Sequence, residues 1–495
     1  MKQPNVLLIM CDQLRADAIG AYGNGIVRTP NLDRLMRRGL TYDNAYSTCP
    51  VCMPARYTIR TGREPYQTGY YDNGGLCLTE EQPSNHEERC GAYLPRTMSA
   101  LGYRTFGIGK FHTDPWNEDL GYEVQIRSEE LFDTEEQAEG DDYARFIMNQ
   151  HPAYAHIEQL HGERTEMYYM PQTSPVPAEI TVEAWAADEA VKQIQSEDSR
   201  PYFGFVSFIG PHPPLAPPVP FNRMYNPDAM PNPVRGELEV DFMDEQLPWM
   251  NHLIWAEDID DPRARALKAR YYGEITYIDQ CIGRILDAVD SRPDGDETLI
   301  VFFSDHGDHM GDHHAWQKES FFEASTRVPY LISWPARLPK GERRDELVCL
   351  TDIFAIATYA AGSMETRDGY DVLGCELEKA QPRIHLFGWY GKPGSATFKI
   401  MVRHMDWKLI YMANGGRVQL FNLRNDPNEL NERSADFPAI VEEMRCAALE
   451  EMTRHKSLAL AMLDGEFRSF PFVARPLARI RQFNLSKGVA DFQIN

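Results

Sequence analysis

The sequence is poor in the features that mark membrane proteins or disulfide-framed secreted proteins. It has no long apolar run, and no charged-then-apolar leader opens it. The expectation is therefore a soluble globular protein with no membrane partner, cytoplasmic as written and periplasmic or secreted where a leader has been trimmed. Cysteines number nine, odd and scattered, which argues for reduced thiols and against a disulfide framework. Basic residues are outnumbered, 50 Lys and Arg against 74 Asp and Glu, for a formal charge of −24. That balance argues against a nucleic-acid partner but does not forbid an anionic substrate, because a few converging cations make one pocket positive inside an acidic body. Internal repeats and low-complexity tracts are lacking too, and 495 residues suffice for a large core plus a smaller second unit.

What the chain does contain is a set of short apolar runs, each ending in polar residues. Asn5 to Met10 leads into Cys11-Asp12-Gln13, and Arg104 to Ile108 leads into Gly109-Lys110-Phe111-His112. Tyr202 to Ile209 leads into Gly210-Pro211-His212, and Leu299 to Phe303 leads into Ser304-Asp305-His306-Gly307-Asp308. Continuous apolar runs of this length suit buried parallel strands, and ligands bind at the carboxyl edge of open α/β sheets. Four runs that each deliver Asp, Lys or His to the same edge predict one composite site.

Between the runs, Ala187, Ala190, Val191 and Ile194 fit one helical face, as do Tyr271, Ile275, Ile278, Ile282, Ile285 and Val289. Strands alternating with helices predict an α/β fold, a mostly parallel sheet covered on both faces. The Pro-rich stretch Pro211 to Pro220 reads as a long surface loop. After about residue 380 the runs shorten, at Ile384–Phe387, Lys399–Val402, Trp407–Tyr411 and Val418–Phe421, before a helix from about Pro438 to Lys456. That texture predicts a small antiparallel sheet with a helix over residues 381–465, after a main domain over 1–380. Residues 466–495 form a basic tail; from Phe467 to Val489 it holds Arg468, Arg475, Arg479, Arg481 and Lys487 and no acidic residue. A strap across the chain's own acidic body is the first expectation for it, and a homo-oligomer contact the second.

The chain is organised around Cys49-Pro50-Val51-Cys52-Met53-Pro54-Ala55-Arg56, which runs on to Thr61-Gly62 after an irregular segment from Asn44 to Thr48. Pro54 suits a first helical position and Gly62 the residue just past the helix end. Cys52 would then sit at the positive end of the helix, where a thiolate is favoured and backbone N–H groups can hold an oxyanion. Arg56, one turn along, is placed to steady an anion. Three readings stay open on these residues alone: a buried structural cysteine, a Cys49/Cys52 redox pair, and a modified nucleophile.

Cys52-Met53-Pro54-Ala55-Arg56 followed by Thr61-Gly62 closely resembles the signature of the type I sulfatases, and recognisable motifs extend the resemblance from Asn5 to roughly residue 450. The resemblance implies an alkaline phosphatase-like α/β fold. It also implies that a separate formylglycine-generating maturation enzyme oxidises Cys52 to formylglycine, whose aldehyde hydrate is the nucleophile.

Asp12, Asp305 and His306 offer two carboxylates and an imidazole, a mostly oxygen set suited to Ca²⁺, alternatively Mg²⁺ or Mn²⁺. The resemblance gives them the metal role together with an oxygen of modified Cys52. Many sulfatases have a second aspartate where this chain has Gln13, whose amide oxygen is a further candidate ligand. Arg56, Lys110, His112, His212 and Lys318 fall where the family has its active-site residues. They suit charge neutralisation and proton transfer on a sulfate ester. In the implied mechanism one hydroxyl of the hydrate attacks sulfur while Arg56 and Lys110 hold sulfate oxygens, and His212 and Lys318 assist the departing alcohol. His112 then takes a proton from the second hydroxyl, sulfate leaves and the aldehyde is restored.

The histidines His309, His313 and His314 invite a Zn²⁺ reading with His306, but a loop-stabilising or pocket-lining role is preferred. The acidic stretch Glu129 to Asp142, the Tyr-rich segment Tyr143 to Tyr169, and Trp249 and Trp255 are expected to wall the substrate pocket. The expected substrate is a small-molecule or carbohydrate sulfate ester. Two alternatives are a phosphonate monoester hydrolase or phosphodiesterase of the same superfamily, which also pairs Asp with Gln, and a non-catalytic binder of sulfated or phosphorylated glycans.

Overall fold

The structure is a computed structural model, which describes residues 3–475 except 81, 131, 133, 158, 166 and 238–243. Eight strands build the main sheet: β1 (Asn5–Cys11), β2 (Leu40–Tyr46), β3 (Arg104–Gly109), β4 (Val124–Arg127), β5 (Tyr202–Phe208), β6 (Thr298–Ser304), β7 (Tyr330–Ser333) and β8 (Glu342–Cys349). Their order is β4-β3-β5-β1-β6-β7-β2-β8. The pairs on the β4 side, as far as β1 with β6, are parallel. β7 alone runs antiparallel to its neighbours.

β1 lies at the centre because its side chains are apolar on both faces. Leu7, Ile9 and Cys11 join one core, which the helices Val182–Ile194 and Asp261–Asp290 cover. Val6, Leu8 and Met10 join the other, which the helices Cys52–Thr61 and Asp352–Ala360 cover. Burial of each such side chain contributes roughly 1.5–3 kcal/mol. In register, Cys11 pairs with Phe208 and with Ser304, and Gly109 with Ser207. The polar residues after these strands therefore emerge at one edge.

The second sheet is antiparallel: β9 (His385–Tyr390), β10 (Lys399–His404), β11 (Trp407–Met412) and β12 (Arg417–Asn422), in the order β12-β11-β10-β9. One face packs Ile400, Val402, Leu409 and Leu420 against Met444, Ala448 and Met452 of the helix Pro438–Thr453. That helix ends three residues before the expected Lys456, which belongs to the 3-10 turn Lys456–Ala461. The other face shares Met401, Ile410 and Phe421 with Tyr46, Val51 and Phe321 of the main unit. The small sheet is thus fastened directly beneath the Cys52 loop.

Three local expectations are corrected. Asn44 to Tyr46 is not irregular but strand, paired with Leu347 to Cys349 of β8. The Cys52 helix starts at Cys52 itself, so Pro54 is its third residue and not its first; Gly62 ends it with φ 63°. The stretch from Pro211 to Pro218 is buried, with only Val219 and Pro220 exposed, because it packs between the Asp261–Asp290 helix and the site. In the tail, Phe470 exchanges backbone hydrogen bonds with Ala413 and Gly415, and Val473 N–H donates to Asn414. The part through residue 475 thus lies across the small sheet, whereas Arg479, Arg481 and Lys487 are outside the described residues.

Candidate active site

Asp12 follows β1, Asp305 and His306 follow β6, and Cys52 opens its helix across from them. All four are buried, and their ligating atoms lie within 4.8 Å of one another. His306 Nδ1 stands 2.9 Å from the Gly307 carbonyl, which can only accept, so Nδ1 carries the proton and the Nε2 lone pair faces the cluster. Nε2 is 3.6 Å from an oxygen of Asp12 and from one of Asp305, and 3.1 Å from Cys52 Sγ. Ligating atoms crowded this closely form a set that a cation would hold together.

The titration of the carboxylates says the same. Burial and the Asp12 charge push the Asp305 carboxyl up to about 6. Burial also raises Asp12, but Lys110, His212, Arg56 and Lys318 outweigh it and hold Asp12 well below the carboxylate range. A divalent ion among these groups would offset the repulsion, so the residues present fit a metal.

Arg56 is fully buried, and every one of its nitrogens is engaged. Nε donates to Asp305 at 3.2 Å and one terminal nitrogen to Asp12 at 2.8 Å. The other donates to the Lys110 carbonyl and to Ser207 Oγ at 2.6 and 3.0 Å. Arg56 thus spends four of its five N–H donors on these groups, and its fully buried side chain clamps the two carboxylates. Of the first helix residues, Met53 donates its N–H to Asn73 Oδ1 at 3.0 Å and Pro54 has none to give.

Lys110 and Lys318 bracket the sulfur. Lys318 Nζ donates to Cys52 Sγ and to Gln13 Oε1, each at 2.9 Å. Lys110 Nζ reaches Asp12 at 2.7 Å and Glu130 at 2.8 Å. Burial and Asp12 raise the Cys52 thiol, but Lys318, Lys110 and His306 pull harder and leave it well below the ordinary thiol range. Gln13 is held by Nε2, which donates to Asp308 at 2.6 Å and to the Tyr169 hydroxyl at 3.2 Å. Its amide oxygen therefore points toward Lys318 and the cluster.

His212 and His112 occupy different places. His212 is buried, with Nδ1 2.7 Å from the Pro213 carbonyl and 3.2 Å from Glu130; burial outweighs Glu130 and lowers its pKa. His112 has a left-handed backbone, φ 51°, and lies outside the buried cluster. Its backbone N–H donates to Glu129, and its ring lines a cleft of about 420 Å³ with Lys110, Met53, Asn73, Trp116, Glu129, Glu130 and Phe132. The expected pocket wall is thereby revised. The acidic stretch contributes, but Tyr143 and Tyr169 are buried in the core, and Trp249 packs under the Arg475 guanidinium at 4.4 Å. His309 bonds Ser320, and its ring meets His313 over Phe322, while His314 turns to the Gly236 carbonyl, so the three do not converge with His306.

Residue-by-residue reasoning missed Glu130, which is half-buried between two cations, Lys110 and, at 3.3 Å, Arg164, and beside the His212 ring. Only its place in an acidic stretch hinted at it. Burial raises its pKa, but His212, Lys110 and Arg164 hold it well below the carboxylate range. A permanent negative charge beside Lys110 makes the pocket less hospitable to a dianion than to a monoanion. Glu130→Gln should raise kcat/KM for an aryl phosphate monoester, relative to the aryl sulfate, by about 10-fold or more. Equal changes in both rates would show that Glu130 only props its neighbours.

A parallel-sheet edge that gathers two carboxylates, an imidazole, buried lysines and a nucleophile-bearing helix defines a metal-assisted ester hydrolase of the alkaline phosphatase superfamily. The crystal structure of a phosphonate monoester hydrolase from Agrobacterium radiobacter superposes with a TM-score of 0.74 at 25% identity, covering 96% of this chain and 100% of that one. The multifunctional alkaline phosphatase superfamily protein PehA of Trinickia caryophylli is 30% identical over 67% of this chain and 68% of its own. The sulfatase family matches residues 4–363, and the C-terminal part of N-sulphoglucosamine sulphohydrolase matches 311–455. An arylsulfatase of Clostridium perfringens is 28% identical over 91% of this chain and 94% of its own. The chain belongs to the sulfatase family, and its activity is sulfate ester hydrolysis. The family carries a metal ion and formylglycine in general. Among the described residues, no helix is long and apolar enough to cross a membrane.

Proposed function

We propose that the protein hydrolyses an aryl or carbohydrate sulfate monoester with Cys52 matured to formylglycine, and that Asp12, Asp305, His306 and the Gln13 amide oxygen hold Ca²⁺. The observation that carries this reading is the convergence of Asp12, Asp305, His306 and Cys52 within 4.8 Å, with Lys318 Nζ on the sulfur. The thiol sulfur marks where the oxygens of the matured residue would project. A divalent ion there would lower the pKa of the attacking hydroxyl and offset charge on the sulfuryl group.

The chain's own residues supply the rest. Asp12 and Asp305, clamped by Arg56, fix the ion's position. Lys318, charged and aimed at the nucleophile, and Lys110, at the floor of the cleft, bind sulfuryl oxygens. The Pro213 carbonyl holds the Nδ1 proton of His212, so the ring presents Nε2 to the site in its neutral form. In the resting state the ammonium of Lys318 is therefore the proton donor for the leaving alcohol. His112, partly buried at the cleft wall with its Nδ1 unpaired, is the base that takes the proton as sulfate leaves. Trp116 and Phe132 offer apolar surface to the alcohol part of the substrate.

The similarity to the phosphonate monoester hydrolase and the Asp12-Gln13 pair favour one second reading, hydrolysis of phosphonate monoesters or phosphodiesters. A side-by-side rate comparison separates the two, on an aryl sulfate and an aryl phosphonate monoester. The protein is co-produced with a formylglycine-generating enzyme and supplied with Ca²⁺. Faster sulfate turnover is expected; faster phosphonate turnover would move the chain to the esterase branch. Binding of sulfated sugars with no turnover of either ester would support the non-catalytic alternative.

A further inference from the structure

A second set of metal-ligating groups lies in the small sheet and shares no residue with the active site. His385 at the start of β9 and His404 at the end of β10 are directly opposite in the antiparallel register. Their rings stack with centroids 4.5 Å apart. Glu443 comes from the helix Pro438–Thr453, which covers this face of the sheet. One ligating atom from each of the three lies within 4.8 Å of the others.

Hydrogen bonding sets the rings for ligation. His404 Nδ1 is 3.2 Å from the Ile384 carbonyl; a carbonyl only accepts, so Nδ1 bears the hydrogen and Nε2 a lone pair. That lone pair faces Glu443 Oε1 at 3.5 Å. Two acceptors held face to face need a cation between them. His385 adds a buried Nε2 with no hydrogen-bond partner, an unsatisfied group of the kind that calls for an ion or a proton. The Glu443 side chain is 55% exposed and that of His404 15%, so one side stays open to entry and to water ligands.

We propose that His385, His404 and Glu443 bind one Zn²⁺ ion that ties β9 and β10 to the helix above them. Two imidazoles and one carboxylate suit Zn²⁺ and not Ca²⁺, which takes six to eight oxygens. The backbone carbonyl on His404 Nδ1 is the usual outer partner of a metal-bound imidazole. The ion would lock the subdomain without touching catalysis.

The test is Zn²⁺ titration by calorimetry on the full chain in excess Ca²⁺, with thermal melting followed in parallel. The wild type is expected to bind one Zn²⁺ more per chain than His404→Ala or His385→Ala, and its melting temperature is expected to rise with Zn²⁺. Glu443→Gln, an exposed substitution that leaves packing intact, should weaken that site by about 10-fold or more while aryl sulfate turnover stays unchanged. Equal stoichiometry and affinity in the wild type and Glu443→Gln would overturn the proposal. So would an absence of Zn²⁺ binding beyond that of His404→Ala in the wild type.

Discussion

Cys52→Ala is expected to lower kcat/KM on an aryl sulfate by about 10⁴-fold or more, with the melting temperature almost unchanged. The expectation rests on the removal of a nucleophile, which costs far more than the removal of any binding contact. Folding should tolerate the change, because a methyl group remains at the helix start and the Arg56, Asp12 and Asp305 network does not run through the sulfur. Turnover at a tenth or more of the wild-type rate would remove Cys52 from the chemistry altogether. Mass spectrometry of the wild type supplies the second readout: a formylglycine at position 52 is about 18 Da lighter than the cysteine it replaces.

Arg56→Lys carries the second largest expected effect, through a different route. Lysine retains the charge but concentrates its donors on one nitrogen, so it cannot bridge Asp12 and Asp305 as the guanidinium fork does. Both carboxylates and the arginine are completely buried, and leaving one member of such a set unpaired costs about 3–5 kcal/mol. Ca²⁺ affinity, read by calorimetry, is expected to fall about 10- to 100-fold, and kcat/KM at least as much. If Ca²⁺ affinity held while activity collapsed, Arg56 would act on substrate and not on the metal ligands.

The contrast between Arg56 and Glu130 explains how far the site could be read in advance. Asp12, Lys110, Asp305 and His306 were legible because each directly follows a continuous apolar run. A strand that is apolar on both faces has one place to go, the middle of a covered sheet, and its first polar residues emerge at the edge. The antiparallel sheet after residue 380 was legible for a similar reason, as four short apolar runs separated by turn residues.

What the sequence could not tell is which groups spend their hydrogen bonds on each other. Arg56 looked like a sulfate clamp because a guanidinium one turn after Cys52 can reach an anion; only the packed structure shows that Asp12, Asp305, Ser207 and the Lys110 carbonyl take four of its five N–H donors and bury it. Glu130 sits between residues with no periodic signal, and it acquires its role from Lys110, Arg164 and His212, which are 20, 34 and 82 positions away in the chain. The sequence by itself determined the sheet, the edge and the nucleophile-bearing turn, because these follow from local patterns of apolar and polar residues. The tertiary structure alone decided the charge balance of the pocket and the clamp on Asp12 and Asp305. Those depend on distances between residues that are remote in sequence, and such distances exist only once the chain has folded.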